Sequence, residues 1–127
     1  MGDLSAARLA FEHALQIDEA AFGKEHPEVA IDINNLGSVL RALGDLSGAR
    51  AALDRALKID EASFGKEHPN VARDILNLGV VLQVQGETAE ARACYERALA
   101  IYERFLPAGH PYIENVKDGL KSLDDLS

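Results

Sequence analysis

Three histidines, His26, His68 and His110, recur at intervals of 42 residues, each directly before a proline: Pro27, Pro69 and Pro111. Imidazole is a common metal ligand and proton shuttle, so the series raises the question of a metal or acid–base site. The spacing answers it. Equivalent positions of successive structural units lie about one unit apart, too far to share an ion bound through contacts of ~2 Å. These histidines read as helix-start residues on one edge of the molecule. His13 falls outside the series, at the position of Arg55 and Arg97, and is expected on the surface.

The single cysteine, Cys94, has no base beside it in a recognisable pattern and aligns with Ala10 and Ala52. It reads as a small apolar side chain rather than a nucleophile. With one cysteine no intrachain disulfide can form, which points to a reducing, cytoplasmic location. The pairs Asp18–Glu19 and Asp60–Glu61 invite carboxylate catalysis or calcium binding. Adjacent residues on a helix point in different directions, however, and the glycine-containing EF-hand loop is missing. They are expected on a solvated face. The glycines punctuate turns and build no phosphate-binding loop. No catalytic residue, metal site or cofactor is expected, and the chain does not read as an enzyme.

The elements that carry these residues follow from a repeat. After Met1 the chain divides into units 2–43, 44–85 and 86–127, and the first two are identical at 28 of 42 positions. That identity is high enough for the units to be compared residue by residue. Each reads as two helices, predicted near 4–21, 27–42, 46–63, 69–84, 88–105 and 111–123. In the second unit Ala49, Leu53, Ala56 and Leu57 recur at helical spacing, with Asp45 as N-cap and Gly65 beyond the C-terminus. Val71, Ala72, Ile75, Leu78, Gly79 and Leu82 then mark one face of the next helix, which Gly86 closes. Gly37 and Gly79 sit mid-helix, where glycine costs about 1 kcal/mol against alanine, so another helix is expected to pass close to them.

A formal net charge of −8 opposes binding to phosphate backbones and anionic lipid, and leaves protein or peptide partners as the open class. No apolar run approaches the ~20 residues of a membrane-spanning helix, and the N-terminus lacks the basic and apolar regions of a signal peptide. No nucleic acid and no membrane are expected as partners.

The order Leu-Gly in one helix, glycine at the turn, then alanine, a large apolar residue and alanine-leucine resembles the tetratricopeptide repeat. The period of 42 and the run His-Pro-x-Val-Ala…Asn-Leu-Gly are similar to the long variant in kinesin light chains. The resemblance covers essentially the whole chain. It implies an all-α fold, a right-handed superhelical solenoid of antiparallel helix pairs with about six helices. Each family repeat runs helix A, beginning at His-Pro, then helix B, so the order here is B-A-B-A-B-A. The A helices of the family line a concave groove that holds a peptide or protein segment. Carried over by position, Asn35 and Asn77, one residue before Leu36-Gly37 and Leu78-Gly79, would clamp a peptide backbone or carboxylate. Ile31, Ser38 and Arg41 would line the groove from one helix, and Arg73, Leu76, Val80 and Gln83 from the next. Asn115 and Asp118 would extend it. Alternative roles stay open: the asparagines as staples between A helices, the arginines as solvated surface charges, and Leu76 and Val80 as packing residues. The third unit has Gly119 in place of the asparagine.

The final helix, 111–123, carries Lys121 at the position of Gly37 and Gly79 and reads as a polar cap. The opening helix keeps the full packing pattern in Ala7, Phe11, Ala14 and Leu15, with no A helix before it. Either it comes from a longer array, or a second copy supplies the partner by dimerisation or helix exchange. The leading function is therefore a protein-interaction scaffold. Self-association, as a homodimer, and a docking arm of a larger multidomain protein are the alternatives.

Overall fold

In a computed structural model the chain, described over residues 2–125, forms six helices among the described residues and no strand. They are α1 (Gly2–Phe22), α2 (Pro27–Ala42), α3 (Leu46–Phe64), α4 (Pro69–Val84), α5 (Thr88–Phe105) and α6 (Pro111–Asp125). The six predicted spans agree with these to within a few residues. Leu126 and Ser127, which end the expected unit 86–127, lie outside the described residues. Each helix packs against its neighbours in the chain, and α4 also touches α2 and α6. The result is an all-α helical-repeat solenoid in which the helices that begin at His-Pro, α2, α4 and α6 (A-type below), alternate with α1, α3 and α5 (B-type below). No helix is long and apolar enough to cross a membrane among the described residues.

The histidine series starts the A helices. His26, His68 and His110 each accept a hydrogen bond at Nδ1 from the backbone N–H two residues on, at 3.0, 3.0 and 3.1 Å. Proline follows each, at a position where its missing N–H removes no helical bond. Two imidazoles also stack on the preceding helix's last residue, His26 on Phe22 and His68 on Phe64. The B helix α3 starts on Asp45, whose carboxylate accepts from Gly48 N–H at 3.0 Å. The A helices end where Gly44 and Gly86 turn left-handed, at φ 89° and 84°, letting the next N–H reach back to Leu40 and Leu82.

Small residues set the helix spacing. Ala49, Leu53, Ala56 and Ile59 of α3 are buried, packed on Val29, Ala30 and Ile33 of α2 at one end and on Leu40 at the other. Ala91, Tyr95, Ala98 and Ile101 of α5 repeat that face against α4 and α6. The two mid-helix glycines lie where expected, under these stripes. A methyl at Gly37 would stand 2.9 Å from Leu53 Cγ, and one at Gly79 would stand 2.9 Å from the Tyr95 ring.

Candidate functional site

The A helices meet through a polar joint inside the stack. Asn34 Nδ2 of α2 donates to Asp74 Oδ1 of α4 at 2.6 Å, and Asn77 Nδ2 donates back to Asn34 Oδ1 at 2.9 Å. Asp60, on α3, completes the cluster beside Asp74, and Arg73 Nη2 bridges both carboxyls at 3.3 and 3.5 Å. Asp60 and Asp74 are 1% and 0% exposed. This corrects the expectation that the Asp60–Glu61 pair lies on a solvated face: Asp60 is core. Its position explains why, because it continues the stripe Ala49, Leu53, Ala56 at spacings of four, three and four.

Burial and a second carboxyl beside it both favour the protonated form of Asp74. Burial, then the adjacent Asp60, pushes Asp74 up to about 8, against the opposing pull of Arg73 and Asn34. Asp74 Oδ2 is buried and receives no N–H among the described residues, and a proton shared with Asp60 gives it a partner. The first unit repeats the device less deeply. Burial and the neighbouring Asp18 raise Asp32 to about 7. In the third unit the equivalent positions are Tyr102 and Val116, and the acid pair is gone.

The residues expected in the groove fall into two groups. Asn77, Arg73 and Gln83 are engaged inside the protein. Gln83 accepts from Tyr95 Oη at 2.7 Å and donates to Ser122 Oγ at 3.0 Å, joining α4 to α5 and α6. Asn35 and Ser38 are half-buried and Arg41 is exposed, and none of the three makes a side-chain hydrogen bond among the described residues. Leu76 and Val80 are half-buried against the core. Ile31 and Asn115 are exposed, as is Asp118. Arg73 and Leu76 come together with Asn115, Tyr102 and Tyr112 around a cleft of about 300 Å³ that runs from α4 to α6. Tyr102 and Tyr112 lie 5.6 Å apart, ring centre to ring centre, and form its aromatic side. The repeat pattern by itself singles out neither the two tyrosines nor the buried Asn34.

Ion pairs fasten the B helices outside this face. Arg55 of α3 reaches Glu19 of α1 at 2.7 Å and the Lys24 carbonyl at 3.3 Å. Arg97 of α5 reaches Glu61 at 2.9 Å and the Lys66 carbonyl at 3.3 Å, the same clamp one unit on. Cys94 is half-buried, and burial raises its thiol above the usual range, which suppresses the thiolate. Among the described residues no group of three or more His, Cys, Asp or Glu side chains could hold a metal ion.

A two-helix unit with a glycine-paired interface, repeated along one axis, defines a helical-repeat protein. The tetratricopeptide repeat family matches residues 1–62 and 31–104, and the chain belongs to that family. BtubC (BKLC) from P. vanneervenii superposes with a TM-score of 0.86 at 26% identity, over 98% of this chain and 50% of its own. A putative kinesin light chain from Podosopora anserina with nearly identical TPR-like repeats gives 0.87 at 23% identity, over 96% and 58%. A single-substitution form of that fungal protein gives 0.86 at 22%, over 96% and 57%. The chain thus spans about half the length of these structures, and its repeats are of the kinesin-light-chain type. No curated protein matches it.

Proposed function

We propose that the chain is a scaffold that holds a segment of another polypeptide along the face formed by α2, α4 and α6. The observation that carries this reading is the cleft of about 300 Å³ between α4 and α6. Leu76 and the two tyrosines give it an apolar floor, while Asn115 and Arg73 bring polar groups to its edge. Arg73 spends Nη2 on the buried carboxyls and is still 35% exposed, so the guanidinium offers its other amino group to a carboxylate or carbonyl. Asn35, Ser38 and Arg41 supply further polar groups along α2. A segment with an apolar side chain beside a carboxylate, or a free C-terminus, suits this set. The reading is one of binding, not catalysis, in keeping with the family's general use as an interaction module.

The test is selection of peptides from a random displayed library on the whole chain, followed by calorimetric titration of the best binders. Tyr112→Ala and Asn115→Ala, both at exposed positions, are expected to weaken them at least tenfold. Binders that ignore both substitutions would place the partner elsewhere.

A further inference from the structure

We propose, on the binding reading above, that the α4–α6 cleft takes up a ligand carboxylate together with a proton: the carboxylate pairs with Arg73 and the proton settles on the buried Asp60–Asp74 carboxyls. Arg73 belongs to both places. It lines the cleft with Leu76, Tyr102, Tyr112 and Asn115, and its Nη2 lies between Asp60 Oδ2 and Asp74 Oδ1. Both contacts are long, 3.3 and 3.5 Å, whereas Arg55 and Arg97 of the B helices hold their glutamates at 2.7 and 2.9 Å. Charge-assisted pairs of full strength close to about 2.7–2.9 Å. Arg73 is therefore only loosely committed inward. Every hydrogen bond its guanidinium makes among the described residues runs through Nη2, and Nε is buried with no acceptor. The first unit lacks this arrangement, because Ile31 stands at the position of Arg73 beside the Asp18–Asp32 pair.

The acid pair decides how much of the positive charge the cleft can use. With one proton on the pair, a single carboxylate faces Arg73 and the buried cluster is neutral. A ligand carboxylate then meets an arginine with donors to spare. Once that proton leaves, two carboxylates face one guanidinium and the cluster turns negative. An incoming anion is then repelled at short range, where solvent and salt screen poorly. Asp74 Oδ2, buried and without an N–H partner among the described residues, is the oxygen that carries the proton. Burial and Asp60 raise Asp74 to about 8, so the loss falls on the alkaline side. By linkage, an anion that favours the protonated pair draws a proton in when it binds above that pH. Few groups face the pair. α2 brings the neutral amide of Asn34, α3 Asp60, α4 Arg73, α5 the Tyr102 hydroxyl and α6 Tyr112. Burial pushes Tyr102 up to about 12, so it stays neutral throughout. His68 and His110 stand at the rim, one bonded to Asn70 N–H and the other edge-on to the Tyr112 ring.

The probe is an N-acetylated peptide that the displayed library selects for the cleft, ending in an apolar residue with a free carboxylate and lacking cysteine, lysine and tyrosine. The same peptide with a C-terminal amide is its control. In calorimetry on the whole chain from pH 7.5 to pH 9.5, the carboxylate form should weaken about five- to tenfold, and the amide form should hold its affinity. At pH 8.5 the heat of binding should vary with the protonation enthalpy of the buffer and report proton uptake. Asp74→Asn should flatten the profile; it retains His68 and His110, so a slope due to either imidazole would survive in it. Asp60→Asn, which removes the second carboxyl, should shift the fall to lower pH and serves if the first variant does not fold. Carboxylate binding without pH dependence or proton uptake, or a slope shared by the amide or kept in Asp74→Asn, would overturn the proposal and leave the cleft as the binding face. Peptides that ignore Tyr112→Ala and Asn115→Ala would remove the cleft reading itself, and this proposal with it.

Discussion

Asn34 donates to Asp74 at 2.6 Å across the joint between α2 and α4, and the same amide accepts from Asn77 at 2.9 Å. One side chain therefore satisfies a buried carboxyl on one side and a neighbouring amide on the other. Removing a partner from buried polar groups costs more than a hydrogen bond yields, about 1–3 kcal/mol per orphaned group. Asn34→Ala is expected to destabilise by that amount in urea titrations, through a lower midpoint at unchanged slope. Asn77→Ala leaves one buried group, Asn34 Oδ1, without its donor, and should fall at the lower end of that range because Asn77 itself is half-buried.

The Asp60–Asp74 pair makes stability depend on pH in an unusual direction. Asp74 titrates near 8 in the folded chain and near the ordinary 3.8 when unfolded, so between those values the folded state binds the extra proton. Stability from this pair is complete below about pH 4 and is lost as pH rises through 8. Asp74→Asn keeps the acceptor for Asn34 and stays neutral at every pH. The difference in stability between variant and parent should grow in the variant's favour from pH 5 to pH 9, by on the order of a few kcal/mol. Asp32→Asn should show the same trend about one pH unit lower, following Asp32's value of about 7. Parallel curves for parent and variant would show that no proton is held there.

Helix number, order and spacing were legible in the sequence because each rests on local signals that repeat: His-Pro starts, glycine ends and an alanine–large–alanine stripe. The close approaches at Gly37 and Gly79 were legible for the same reason, since a mid-helix glycine is unfavourable unless space demands it. The polar joint was less visible. Asp60 lies on the buried stripe by its spacing from Ala56, but an aspartate next to a glutamate reads as solvent-facing until Asp74 is brought beside it from another helix. Asn34 is less visible than its neighbour Asn35, because the family pattern marks the position before Leu-Gly. The cleft needed Tyr102 and Tyr112, from two helices whose unit has drifted from the other two. Only the fold puts them against Arg73 and Leu76.

The histidine caps give a separable prediction. His68 closes the start of α4 by accepting from Asn70 N–H at 3.0 Å while its ring stacks on Phe64 at 4.4 Å. Losing an N-cap acceptor costs about 0.5–2 kcal/mol. His68→Ala should fall in that range, and His68→Asn, which keeps an acceptor and loses the stack, should fall between it and the parent. Equal losses would assign the effect to stacking alone. Thermal unfolding followed by circular dichroism is sufficient to rank the three.

The two mid-helix glycines look alike in sequence and should not behave alike. Alanine at either gains about 1 kcal/mol of helix propensity. At Gly37 the new methyl meets Leu53 at Cγ (2.9 Å) and Cδ2 (3.1 Å), a buried aliphatic side chain held by packing alone, with no hydrogen bond to fix it. At Gly79 it meets the Tyr95 ring at 2.9 Å and Cys94 Cβ at 3.1 Å. That ring cannot retreat easily, because its hydroxyl is tied to Gln83 at 2.7 Å and its other edge lies against Gly119. Overpacking of this kind costs about 1–3 kcal/mol, which outweighs the propensity gain at Gly79 and only roughly offsets it at Gly37. Gly79→Ala is therefore expected to destabilise and Gly37→Ala to be close to neutral. A double-mutant cycle with Tyr95→Leu, the residue that α3 uses at this position, tests the cause. If the ring is what resists, Gly79→Ala should become nearly harmless in the Tyr95→Leu background; an undiminished loss there would point to Cys94 and the α5 backbone instead.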